Sequence, residues 1–224
     1  MSVTLLEGEL YAESEAAHLL RVPQSTLHYW LEGGRSRGVT YPPVLRPEPT
    51  GSRNLTWAEF VEATLLRAYH RDLNVALREL RLFITTLRDE LGVPHPLATA
   101  KPWTDGKQLV IDAQEAASLP SDFWLFTPTR NQDLLPLEPA SWFLSRVDFG
   151  VSGLAERIRP NPASPVVIDP LRRFGAPSIK GTSTSVLWEH VEAGYTVDEV
   201  AELFDLSTSE VRWAVSYEST PEAA

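Results

Sequence analysis

Apolar and polar residues alternate with a helical rhythm twice within the first 35 positions. In "ESEAAHLL" the residues Ala16, Ala17, Leu19 and Leu20 share one side of a short helix running from about Ser14 to Leu20. Arg21-Val22-Pro23 interrupts it. The proline lacks a backbone donor and turns Val22 away from helical angles, so the chain must bend there. A second helix starts at Gln24 or Ser25 and ends before Gly33-Gly34, with Leu27, Trp30 and Leu31 as its buried stripe. Two short amphipathic helices about a tight turn make a helix-turn-helix. Residues 33 to 55, rich in glycine and arginine at first and then running "YPPVLRPEPTGSRNLT", are too polar and proline-broken for a core, which predicts a short hairpin or wing. "TWAE" then supplies a capping box, with Thr56 and Glu59 satisfying each other's backbone donors. The pattern beyond it predicts two longer helices, about 57 to 70 and 74 to 90, closed by Gly92 and Pro94.

The rhythm changes between 95 and 165. "KQLVID", "DFWLFT" and "SWFLSRVDF" read as strands between proline-rich turns, together a small sheet. After Pro160 and Pro162 an extended segment leads to three helices, about 184 to 193, 197 to 205 and 208 to 218. "TVDE" and "STSE" cap the last two, in a second helix-turn-helix arrangement. The fold class expected is α+β, mainly α. A winged helix-turn-helix with long helices fills 1–92, a β-rich region 93–163 and a trihelical domain 164–218, before a disordered tail at 219–224.

Charge sharpens this division. The whole chain carries −10, which does not favour nucleic acid. Residues 21 to 88, however, hold ten arginines against six acids, a balance of +4, leaving −14 for the remainder. Such asymmetry suits a protein with two kinds of partner. The absence of cysteine removes disulfides, thiol catalysis and thiolate metal sites. No apolar run approaches the ~20 residues of a membrane span. The acidic start lacks a signal-peptide pattern, so the cytoplasm is the expected compartment.

Catalytic chemistry finds no support. The histidines at 18, 28, 70, 95 and 190 show no metal-ligand spacing, and nucleotide and hydrolase motifs are missing. We therefore expect no enzyme, no metal and no cofactor. The first helix pair differs. A helix entering a major groove needs short polar side chains on its first turn, and Gln24, Ser25, Thr26 and His28 stand there, opposite Leu27 and Trp30. Tyr29 flanks them. Arg21 in the turn and Arg35, Arg37 and Arg53 on the wing are candidate phosphate contacts. In the second pair, Arg172, Arg173, Lys180 and Arg212 form a possible further DNA contact. Residues 162 to 218 nevertheless hold nine acids against those four, a balance of −5, so protein contact or plain structure competes equally there.

Both ends resemble a known family. "YAESEAAHLLRVPQSTLHYWLEGG…YPPVLRP…LTWAEFVEATLLRAYHRD" is similar to the MerR-like winged helix-turn-helix of VapB-type antitoxins. "VVIDPLRRFGAPSIKGTSTSVLWEHVEAGYTVDEVAELFDLSTSEVRWAVSYE" resembles their small trihelical domain, and the combination resembles the VapB45-like group. The resemblance covers about 11 to 90 and 165 to 218. Ser183 stands where the family usually has arginine, and Ala12 where a Ser or Thr cap is usual. The resemblance implies a VapC-type PIN-domain endoribonuclease as partner, silenced by this chain, and autorepression of a shared operon through operator DNA. A homodimer matches palindromic half-sites, with the long helices and the middle sheet as available surfaces. The alternative is a MerR-like regulator without a toxin, sensing a small molecule among Trp103, Trp124, Phe126, Trp142 and Phe143.

Overall fold

The computed structural model describes residues 6–36, 38–72, 74–128 and 134–220. Strand β1 (Glu9–Ala12) leads into helix α1 (Glu13–Leu20), a turn, and helix α2 (Gln24–Glu32). The hairpin β2 (Gly34–Ser36) and β3 (Val39–Tyr41) follows, and β4 (Asn54–Thr56) returns antiparallel to β1 with Tyr11 opposite Leu55. Everything from α1 to β4 is thereby closed into one unit.

Helix α1 stops because Arg21 adopts the left-handed conformation (φ 53°, ψ 48°) and the Val22 N–H bonds back to the Ala17 carbonyl at 3.0 Å. Pro23 starts α2 without penalty, since its carbonyl accepts from Thr26 and Leu27 and its missing donor would lie outside the helix. No side chain caps α1 at Ala12; the Glu13 N–H instead donates to the Arg53 carbonyl across the β1–β4 ladder, at 2.8 Å. Leu27, Trp30 and Leu31 are fully buried.

Helix α3 (Trp57–Arg67) carries the expected Thr56/Glu59 capping box. It runs into a wide turn, Ala68–Asp72, before α4 (Leu77–Leu91), which Gly92 closes at φ 65°. Trp57 and Phe60 stack at 5.7 Å, Tyr11 lies 4.7 Å from Phe60, and the Trp57 indole donates to the Ala155 carbonyl at 2.7 Å. The largest core is thus continuous from the first helix pair into the middle region.

That middle region corrects the sequence-based expectation. "KQLVID" is the start of helix α5 (Lys107–Ala116), with Val110, Ile111, Ala113 and Gln114 buried on one face. "DFWLFT" is a single 3-10 turn followed by β5 (Phe126–Pro128), which pairs with β6 (Leu134–Pro136). "SWFLSRVDF" divides between helix α6 (Glu138–Leu144) and β7 (Val147–Phe149), which pairs with β8 (Ala155–Ile158). Among the described residues these are two separate antiparallel pairs that share no sheet. The buried Gln114 amide accounts for much of this. It accepts from the Leu125 and Phe126 N–H groups and donates to the Phe126 carbonyl, fastening α5 where a third strand would have to pair.

The C-terminal unit has its own core: Val166, Ile179, Leu187, Val200, Ala201, Val211 and Ala214. A two-residue ladder of β9 (Ser178–Ile179) and β10 (Thr182–Ser183) precedes α7 (Thr184–Glu192), α8 (Val197–Phe204) and α9 (Thr208–Glu218). Both expected capping boxes are formed, Thr196 with Glu199 and Ser207 with Glu210. The expected tail falls mostly on 221–224, outside the described residues. Two points tie this unit to the first. The Tyr11 hydroxyl donates to the Gly175 carbonyl at 2.8 Å, and Arg21 donates to the Tyr217 carbonyl at 2.8 Å. Gly175 is required there: a Cβ would stand 2.2 Å from the Tyr11 oxygen, and φ is +79°. The fold is α+β and mainly helical, and no described helix is long and apolar enough to cross a membrane.

Candidate nucleic-acid interface

Burying Leu27, Trp30 and Leu31 dictates which side of α2 meets solvent. Gln24 and Ser25 are exposed on its first turn, and Thr26 and His28 are half-buried beside them. The hairpin β2–β3 is held against the end of this helix by two close approaches. At Gly33 (φ +70°) a Cβ would lie 2.2 Å from the Tyr41 carbonyl oxygen, so the wing's second strand crosses directly over the helix end. At Gly34 a Cβ would meet the Tyr29 ring at 3.0 Å. Tyr29 therefore packs between helix and wing, a structural role beside the flanking contact expected from sequence. Arg35 is exposed on β2, opposite Thr40, and all of β3 is exposed, including Val39 and Tyr41. Arg37 lies outside the described residues.

The wing's base is clasped by Arg46, which the charge reading counted only as one more cation. It is 4% exposed. Its Nε donates to Glu59 at 2.7 Å, Nη2 to the Asn54 carbonyl at 2.7 Å, and Nη1 to Thr50 Oγ1 at 2.7 Å and to Glu32. Glu59 simultaneously caps α3, accepting from the Thr56 N–H at 2.8 Å. Helix α2, the loop behind the wing and α3 thus converge on one guanidinium. Burial disfavours its charge, but the hydrogen bond and charge of Glu59, then Glu32, outweigh that and raise its pKa. Burial likewise opposes the charge of Glu32, yet bonds from the Gly51 N–H and the Arg46 charge hold its carboxyl below the usual value.

A second network orients His28 and Arg53. Glu13, 2% exposed, accepts from His28 Nδ1 at 3.0 Å and from Arg53 Nη1 at 3.3 Å. The Arg53 side chain stays 68% exposed, so it reaches the same side as the first turn of α2 while anchored at its inner edge. Glu13 went unrecognised in the sequence because an acid in the first turn of a helix ordinarily signals only dipole compensation.

The structure does not bring Arg21 to this face. Its guanidinium bonds the Tyr217 carbonyl and lies 5.2 Å from the Tyr217 ring centroid, committed to α9. In the second group Arg172 and Lys180 line one small cavity with Asp169 and Gly181, each beside a neighbouring carboxylate. Arg172 lies 3.6 Å from Asp169, Arg173 donates to the Gly181 carbonyl at 2.8 Å, and Lys180 bonds Glu210 at 3.1 Å. Arg212 is exposed on α9. What sequence reasoning missed beside them is apolar: Leu171 and Phe174 are 79% and 88% exposed, Phe174 at φ +54°. The aromatic set offered as a ligand pocket is mainly core. Trp103 stacks on Phe143 at 4.8 Å and neighbours Phe126, all three buried, while Trp124 and Trp142 are half-buried. Among the described residues no cluster of three or more His, Asp or Glu has metal-site geometry.

Residues 166–217 match a family described as a protein of unknown function, DUF433, a span that coincides with the C-terminal core. The uncharacterized protein Rv2308 of Mycobacterium tuberculosis is 28% identical over 227 residues, covering 97% of this chain and 93% of that protein. The crystal structure of Rv2018 from Mycobacterium tuberculosis is similar with a TM-score of 0.73 at 26% identity, covering 94% of this chain and 99% of that one.

Proposed function

We propose that this chain is a DNA-binding antitoxin, whose N-terminal unit is a winged helix-turn-helix that reads operator DNA and whose acidic C-terminal trihelical unit contributes to holding a PIN-domain endoribonuclease toxin. One observation carries the DNA half: the polar first turn of α2 and the arginine-bearing hairpin stand beside one another, locked by Gly33, Tyr29 and Arg46. A recognition helix and its wing need that fixed relation, because base contacts and phosphate contacts must register together on the duplex. Gln24 and Ser25 take the base edges, with Thr26 and His28 beside them, and Arg35, Arg37 and Arg53 take phosphates.

The toxin half rests on the family resemblance together with the surface of α8. Tyr195, just before α8, and Leu203 on it are 52% and 60% exposed, and Asp198, Glu202 and Asp205 are exposed along the same stretch. Apolar side chains interspersed with acids along the chain suit a basic protein surface better than a duplex. The chain acts as a homodimer in this reading, since paired half-sites match two-fold symmetry, and it works in the cytoplasm as a repressor of its own operon.

A gel shift on the chain's own promoter at several salt concentrations tests the first half. Specific retardation lost in Gln24→Ala and weakened in Arg35→Ala supports it; equal binding of promoter and random duplex by all three proteins refutes it. Whether a PIN-domain ribonuclease gene adjoins this one, and co-expression with its product, tests the second. Growth rescue that Leu203→Asp abolishes supports α8 as the contact, and rescue unchanged by that variant removes it.

A further inference from the structure

We propose that His28 reads one base of the major groove as a hydrogen-bond acceptor, selecting adenine or cytosine, and that the buried Glu13 fixes the tautomer this requires. The inference rests on the DNA reading and adds what that surface selects. His28 stands one turn beyond the exposed Gln24 on α2, at the i, i+4 spacing that puts both on one face. Its side chain is 39% exposed, while the carboxylate it bonds belongs to a residue only 2% exposed. The ring is therefore pinned at an inner edge and keeps an outer one.

Three groups meet at the inner edge. His28 Nδ1 lies 3.0 Å from Glu13 Oε2 and 3.3 Å from Arg53 Nη1. Arg53 Nη1 also lies 3.3 Å from each Glu13 oxygen, and the Glu13 N–H donates to the Arg53 carbonyl at 2.8 Å. A carboxylate engaged by a guanidinium offers acceptors only. The shortest side-chain contact of the three is then satisfied one way, by a proton on Nδ1 donated to Glu13. Without it, a bare lone pair would face a carboxylate oxygen at 3.0 Å. The proton of an imidazole goes to the nitrogen whose partner accepts it, so in the neutral ring Nε2 keeps its lone pair. Among the described residues Nε2 has no bond of its own.

Base edges divide sharply against such an acceptor. Adenine N6 and cytosine N4 present N–H donors in the major groove, whereas guanine N7 and O6 and thymine O4 are acceptors. An unprotonated Nε2 bonds the first two and is repelled by the others. Gln24 and Ser25 both donate and accept, so neither imposes that choice by itself. His28 gives the surface of α2 a polarity that these neighbours lack, and Glu13 acts through it as a positioning residue.

Two measurements on the full chain test it, both at about pH 8, where an ordinary imidazole is neutral. The first is nitrogen NMR of the His28 ring without DNA. The Nδ1–H tautomer is expected; the Nε2–H tautomer or an imidazolium would overturn the proposal whatever DNA does. The second enriches duplexes from a random library with wild type and His28→Ala. One half-site position should hold adenine or cytosine for wild type and lose that preference in His28→Ala, while the other positions persist. Purine in place of that adenine, or pyrimidin-2-one in place of that cytosine, removes only the amino group. It should weaken wild type by about tenfold and leave the affinity of His28→Ala where it was. In Glu13→Gln the amide can donate to Nδ1, so the preference should move toward guanine or thymine. An unchanged preference in a folded Glu13→Gln protein would overturn the part given to Glu13. Enrichment with no position that depends on His28, or equal loss in both proteins on removal of the amino group, overturns the proposal and leaves the DNA reading standing. No enriched sequence for wild type overturns the DNA reading and this proposal with it. If Glu13→Gln does not fold, the tautomer and the amino-deleted duplexes decide.

Discussion

Two helix pairs in this chain are built on the same backbone device and present opposite surfaces. Between α1 and α2 the connecting residue is Arg21 at φ 53°, ψ 48°; between α8 and α9 it is Asp205 at φ 53°, ψ 47°. In each, the next residue donates to a carbonyl five positions back, Val22 to Ala17 at 3.0 Å and Leu206 to Ala201 at 2.9 Å. Both second helices bury an apolar stripe. They differ at the first turn that follows. Gln24-Ser25-Thr26 offers neutral groups that both donate and accept, with a wing alongside. Thr208-Ser209-Glu210 offers a carboxylate already bonded to Ser207 and Lys180. Backbone geometry therefore does not distinguish a candidate groove reader from a structural or protein-binding element; the charge and occupancy of that first turn do.

Breaking what only the N-terminal pair possesses should give the largest effect. Arg46→Ala leaves the buried Glu59 and the half-buried Glu32 without their cation, and removing one member of such a network costs about 3–5 kcal/mol. Chemical denaturation should show that loss. Arg46→Met should cost less if Glu59→Gln and Glu32→Gln accompany it, since no unpaired charge then remains. A loss below 1 kcal/mol in Arg46→Ala, taken against the ~3–5 expected, would show that the wing is not clasped through this residue.

Next in size is Gly33→Ala. A left-handed position with a Cβ pressed on the Tyr41 carbonyl costs about 1–3 kcal/mol. Among the described residues the C-terminal pair has no counterpart, because no hairpin there crosses the end of α9. Thermal unfolding should fall accordingly, and duplex binding should weaken further as the wing is displaced from Tyr29. Binding at wild-type strength in a folded Gly33→Ala protein would separate the wing from recognition.

These local devices explain what was legible in sequence. Helix pairs, the three capping boxes and the hairpin each depend on residues within a few positions, so "TWAE", "TVDE" and "STSE" declare themselves. The middle region depends on distant groups. "KQLVID" has strand-like β-branched residues, yet its helix is fixed by Val110, Ile111 and Gln114 packing on segments unreachable by local pattern. Arg46 and Glu13 were invisible for the same reason, their charged partners lying 13 to 40 residues away. Arg21 looked like a phosphate contact because Tyr217, 196 residues on, was not yet in place beside it.

Converting one pair into the other is a sharper test with a moderate effect. Ser25→Glu gives α2 an acidic first turn like that of α9. Near a helix N-terminus an added acid stabilises by about 0.3–1 kcal/mol, so the variant should unfold slightly later than wild type. It should also lose about tenfold in duplex affinity, since a carboxylate then faces phosphates. Arg35→Ala should reduce the slope of log affinity against log salt by about one. A Ser25→Glu protein that gains stability and keeps its affinity would move the DNA surface off α2.

The smallest effect belongs to the C-terminal pair and is read by pH. The Ser207 N–H, then Lys180, holds the Glu210 carboxyl below its usual value. A carboxylate whose folded pKa is depressed stabilises the fold above its unfolded pKa, and that contribution disappears as pH falls through the folded value. Wild type and Glu210→Gln should therefore differ at pH 7 and converge in acid, below about pH 4. The carboxylate sits half-buried at the surface, where screening leaves about 0.5 kcal/mol or less. Lys180→Met should remove part of the same difference, because the cation supplies part of the shift. A difference between wild type and Glu210→Gln that persists unchanged in acid would show that the first turn of α9 is set by shape alone. The contrast with α2 would then rest on the wing and not on charge.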